Sequence, residues 1–70
     1  MERIIYSVTV SVLRDGHPFC HEVIAIAASD DDEFEKKLAE EEEAMENGYA
    51  EAYGDDHDWF AQEIDARILS

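Results

Sequence analysis

Residues 4–27 read IIYSVTVSVLRDGHPFCHEVIAIA, and this stretch decides the fold. Over residues 4–13, Ile4, Tyr6, Val8, Val10 and Val12 alternate with Ser7, Thr9 and Ser11. That period of two, in a run rich in β-branched side chains, is the pattern of a half-buried strand. Asp15-Gly16 follows at once, and such a pair between two alternating runs predicts a two-residue hairpin turn with positive φ. A second strand is expected over residues 19–27. With Asp15 and Gly16 as the loop, Arg14 faces His17 and the register continues Val12 with Phe19, Val10 with His21, Val8 with Val23, and Tyr6 with Ala25. One face is then apolar except for His21. The other carries Ser7, Thr9, Ser11, Cys20 and Glu22 near the turn and Ile5, Ile24 and Ile26 at the far end.

Downstream, Ser29 or Asp30 supplies a helix N-cap, and Asp30, Asp31, Asp32 and Glu33 place negative charge on the first turn, where the helix dipole favours it. Phe34, Leu38, Met45, Tyr49, Ala52 and Tyr53 form the apolar stripe, with Glu41 in its middle. Gly48, at about 1 kcal/mol relative to alanine, is the expected stop or kink. The reading is a helix to Asn47 with a further turn or continuation to Tyr53 and a left-handed cap at Gly54, so the element spans about residues 30–53.

Residues 59–69 fit two templates. Ile64, Ala66 and Ile68 alternate as in a strand, while Phe60, Ile64 and Ile68 repeat every four residues as in a helix. A lone hairpin is marginal, and a third strand gives the helix a sheet to cover. The fold expected is therefore α+β in the order ββαβ, with ββαα as the alternative, in one domain spanning residues 1–70.

Composition narrows the function. Seventy residues bury only about 60% of the unfolded chain's surface, which leaves little room for a deep cleft. Cys20 is the single cysteine, so an intramolecular disulfide is excluded and a reducing, cytoplasmic setting is expected. No apolar run has the length of a membrane span. The net charge is −14, and it is concentrated: residues 30–58 hold fourteen acidic side chains against Lys36 and Lys37. Such charge opposes direct binding to nucleic acid or to anionic lipid and points to a basic protein surface as the partner.

On a helix, the ten acids from Asp30 to Glu46 fall roughly every 2.5 Å of axis. Duplex DNA carries a charge about every 3.4 Å along each strand, so a groove built for phosphates matches this density. Like-charge pairs such as Asp31 with Glu35 and Glu42 with Glu46 oppose the helix by ~0.2 to 0.5 kcal/mol each; Asp32 with Lys36 and Glu33 with Lys37 offset part of that. The bland reading is a solvated, solubilising face.

No other constellation predicts chemistry. Asp55, Asp56, His57 and Asp58 lack the spacing of a calcium-binding loop and read as a loop or cap. His17, Cys20 and His21 lack a second ligand pair, and strand alternation sends Cys20 and His21 to opposite faces, which disfavours both zinc and a cysteine nucleophile. Neither a metal, a cofactor nor catalysis is expected. Trp59, Phe60, Tyr49 and Tyr53 read as core, as edge cover or as interface anchors.

A very short chain with a β-hairpin, an acidic block over residues 30–58 and no catalytic motif resembles the small acidic proteins encoded by bacteriophages, particularly anti-CRISPR proteins and other DNA mimics. The resemblance implies a non-enzymatic inhibitor in the cytoplasm of a bacterial host, occupying a basic DNA- or RNA-binding surface of a CRISPR effector subunit. The phosphate stand-ins would be Asp30, Asp31, Asp32, Glu33, Glu35, Glu40, Glu41, Glu42, Glu43, Glu46, Asp55, Asp56 and Asp58. The alternative is a small assembly protein that forms a homodimer or binds a partner through its sheet, with the acids serving solubility.

Overall fold

The computed structural model describes residues 2–69. The elements run β1 (Ile4–Arg14), β2 (His17–Ala28), α1 (Asp31–Tyr53) and β3 (Trp59–Ile68), the expected ββαβ arrangement. The strands form one antiparallel sheet in the order β2-β1-β3, and α1 covers one face of it.

The hairpin turn is as the sequence predicts. Arg14 pairs with His17, and Asp15 and Gly16 adopt φ values of 52° and 82°, the double positive φ that a type I′ turn requires. Beyond the turn the register differs from expectation by one residue. Leu13 faces Pro18, but Val12 faces Cys20, so Phe19 is the extra residue of a β-bulge. A one-residue slip exchanges the two faces of a strand. Val10 therefore lies opposite Glu22, Val8 opposite Ile24 and Tyr6 opposite Ile26. The physical reason is burial: the bulge brings Ile24, Ile26 and Ala28 under the helix, where the uninterrupted register would have placed His21, Val23 and Ala25. Ile26 and Ala28 are buried, and Val23 is 69% exposed.

The core joins Tyr6, Val8 and Val10 of β1, Ile26 and Ala28 of β2, Phe34 and Leu38 of α1 and Ala61 of β3. Val8, Val10 and Val12 are fully buried, each contributing about 1.5 to 3 kcal/mol relative to an exposed side chain. The Tyr6 and Phe34 rings pack at 4.2 Å between centroids.

Asp30 caps α1, its Oδ1 accepting the Glu33 N–H at 2.8 Å, while Glu33 Oε1 accepts the Ser29 N–H at 2.7 Å. Of the outcomes the sequence left open, the continuation is realised: α1 runs through Gly48 to Tyr53 without a stop at Asn47. Packing of Met45 and Tyr49 on the sheet holds the residues on either side of the glycine. A Cβ at Gly48 would meet nothing within 4 Å, so Gly48→Ala should stabilise the fold by about 0.8 to 1 kcal/mol, read as a higher denaturation midpoint in urea. The terminus is not a left-handed cap: Gly54 has φ 121° and ψ 125°, and its N–H donates to the Ala50 carbonyl.

The C-terminal segment is a strand. β3 carries its own bulge at Ile64, between the Thr9–Asp65 and Val10–Glu63 pairs. Among the described residues no helix is long and apolar enough to cross a membrane.

Candidate functional site: an acidic helix and its flanking groove

The thirteen acidic residues singled out in the sequence fall into two groups. Four are engaged within the fold. Asp30 and Glu33 build the helix cap, and Glu46 Oε2 and Glu42 Oε2 accept the backbone N–H groups of Ala61 and Glu63 at 2.9 and 3.0 Å. The other nine, Asp31, Asp32, Glu35, Glu40, Glu41, Glu43, Asp55, Asp56 and Asp58, are exposed. Helical periodicity spreads the α1 acids around the axis: Asp32, Glu40 and Glu43 face away from the sheet, Glu41 flanks β2, and Glu35 lies on the β3 side. Six exposed carboxylates remain from Asp31 to Glu43, one per roughly 3 Å of axis, still close to the phosphate spacing of about 3.4 Å along one DNA strand.

The expected lysine pairings are realised only in part. Lys37 lies 3.9 Å from Glu33 and gives its shortest bond, 2.6 Å, to the Ala27 carbonyl. Among the described residues Lys36 forms no ion pair with Asp32.

At the hairpin end the acidic loop is tied down. Asp58 and Asp15 exchange two bonds, Asp15 N–H to the Asp58 carbonyl at 2.7 Å and Asp58 N–H to Asp15 Oδ1 at 2.8 Å, and His57 Nδ1 lies 2.8 Å from Asp15 Oδ2. This loop therefore fixes the turn of the hairpin. Among the described residues no group of three His, Cys, Asp or Glu is disposed to hold a metal ion. The aromatic residues meet next to it: Phe19 packs edge-on against Tyr49, Tyr53 and Trp59, Arg14 sits 5.4 Å over the Phe19 ring, and Trp59 Nε1 donates to the Gly54 carbonyl. Trp59 is buried, whereas Phe60 and Tyr53 are more than half exposed.

Between α1 and β2 lies an open groove of about 470 Å³, lined by Glu22, Ile24, Glu41, Met45, Tyr49 and Tyr53 among others. Tyr49 donates its hydroxyl to Glu22 Oε2 at 2.6 Å and lies 3.0 Å from Cys20 Sγ. These two bonds, Cys20 first and Glu22 second, push the Tyr49 hydroxyl well above its ordinary pKa, so it remains a donor. The groove could not be found from the sequence, because the unbulged register sends Glu22 and Ile24 to the other face. The i, i+4 spacing of Met45 and Tyr49 was its only trace.

The carboxylates at the sheet do not titrate alike. Burial against β3 raises the Glu42 pKa above 4.5, with Glu46, Glu63 and Glu35 adding repulsion and the Glu63 N–H opposing both. Asp15 is held below 3.8, chiefly by the Asp58 N–H and then by His57, and Glu33 below 4.5, chiefly by the Ser29 N–H. Stability contributed by a raised acid is present below its unfolded pKa and is lost as pH rises through the folded value. Stability from a lowered acid is present above the unfolded pKa and is lost as pH falls through the folded value. The melting temperature should therefore rise as pH is brought down toward about 4.5 and Glu42 protonates, and fall again below about 4 as Asp15 and Glu33 protonate. Glu42→Gln, which keeps an acceptor for Glu63, should flatten the first limb, as measured by thermal unfolding across pH.

No protein-family model matches this sequence, and comparison with curated proteins and with solved structures gave no match.

Proposed function

We propose that the chain is a non-enzymatic inhibitor that lays its acidic helix on a basic nucleic-acid-binding surface of another protein, with a CRISPR effector subunit in the cytoplasm of a bacterial host as the target. The observation that carries this reading is the unbroken 23-residue helix with six exposed carboxylates from Asp31 to Glu43, at close to phosphate spacing along its axis. Lysine and arginine side chains placed to receive a phosphate backbone meet oxygen acceptors of the same charge at similar intervals. The protein itself neither binds nucleic acid nor a membrane, because its field repels both.

The test is displacement. Purified effector complexes loaded with fluorescent target DNA are titrated with the protein at increasing salt. Release of DNA at low salt that weakens steeply as the Debye length falls from about 10 Å at 0.1 M toward about 3 Å at 1 M supports the reading. DNA retained under all conditions, or release indifferent to salt, refutes it.

One observation favours a second reading, an assembly protein that pairs with itself: among the described residues the β2 edge pairs with no strand, and its side chains over residues 23–28 are uncharged. A dimer in light scattering that survives neutralisation of the helix acids would select that alternative.

A further inference from the structure

The two edges of the sheet are built differently. At β3, Glu46 and Glu42 occupy the outward N–H groups of Ala61 and Glu63, and the bulge at Ile64 breaks the ladder. These are the devices by which a protein blunts an edge against further strands. At β2, among the described residues, only the Ala27 carbonyl has a side-chain partner, Lys37. Since Ala27 directs its carbonyl off the sheet, the two-residue period of the ladder turns the backbone of His21, Val23 and Ala25 the same way. The next side chains toward α1 line the groove described above.

We propose that the β2 edge and the α1–β2 groove together take an extended, arginine- or lysine-bearing segment of a basic protein, added to β2 as a fourth strand with alternate side chains in the groove. This rests on the basic-partner reading above and specifies how such a partner is gripped. Charge selects the occupant. Glu22 and Glu41 stand in the groove walls and Glu40 beside them, with Lys37 the one cation among these lining residues. A second copy would set its own Glu22, Glu40 and Glu41 against these and add another net charge of −14, whereas a cationic strand neutralises them. The exposed ring of Tyr53, which stacks on Tyr49, and the side chains of Ile24 and Met45 receive the aliphatic stems of such residues, and main-chain bonds to His21, Val23 and Ala25 supply the affinity of strand addition.

The probe is a blocked peptide of about eight alternating arginine and valine residues. In antiparallel addition with arginines toward the groove, the valine nitrogens face β2 and the arginine nitrogens face away. N-methylation at valine should abolish binding and N-methylation at arginine should spare it, while amide exchange slows at His21, Val23 and Ala25. Val23→Pro removes an outward donor without touching the β1 ladder and should weaken the unmodified peptide roughly tenfold or more; the methylated peptides provide the same test on the unaltered protein. Equal binding of both methylated peptides, or perturbation confined to Asp32 and Glu43, overturns the edge site and leaves the acidic-helix reading standing. Slow exchange at the same amides in a peptide-free dimer overturns it in favour of self-pairing. Absence of peptide binding overturns it as well, and the DNA-displacement assay then decides the parent reading independently.

Discussion

Phe34→Ala is expected to leave the chain unfolded at physiological temperature. Phe34 is buried, packs its ring at a tilt against Tyr6 and is, with Leu38, one of the two buried residues of α1. Removing such a ring costs about 3 to 5 kcal/mol, and a single core in a domain of this size rarely supplies more than about 3 to 5 kcal/mol in total. Far-UV circular dichroism with a thermal melt checks the outcome. A variant that keeps the helical signal and a cooperative transition would show that the helix is held chiefly by something other than this contact.

Reversing charge at Glu40 and Glu43 together is expected to lower affinity for the proposed basic partner by about a hundredfold or more at low salt, since like charges set against a cationic surface cost several kcal/mol. The salt dependence should flatten at the same time. Both side chains are exposed and outside the core, so the melting temperature should change little, which separates lost binding from lost folding. Substitutions of equal size at Ser7 or Thr9, on the sheet face opposite the helix, should leave affinity unchanged. A doubly reversed protein that still displaces DNA at full strength would remove the acidic helix from the mechanism.

Much of the fold was legible because its signals are local. The alternation of β1, the Asp15-Gly16 turn, the Asp30 cap and the acidic first turn of α1 each report on a few neighbouring residues. What escaped depended on distant partners. The bulge at Phe19 is set by what the helix covers 20 to 30 residues later in the chain, and Phe19 itself ends against Tyr49, Tyr53 and Trp59. Gly48 read as a stop because propensity is a local quantity, while packing of the flanking turns on the sheet is not. The acidic residues were visible as a block, yet nothing in their spacing distinguishes Glu42 and Glu46, which serve the β3 backbone, from Glu40 and Glu43, which face solvent.

The central position of β1 bears on how the chain is made. β1 has neighbours on both sides, and it is synthesised before β2, α1 and its second neighbour, β3. Until α1 is made the nascent hairpin displays Tyr6, Val8 and Val10 uncovered, and until β3 is made one flank of β1 lacks its strand. The segment that emerges next is the acidic one, so the growing chain carries its own electrostatic shield through the interval when its apolar sheet is most open to capture by other chains.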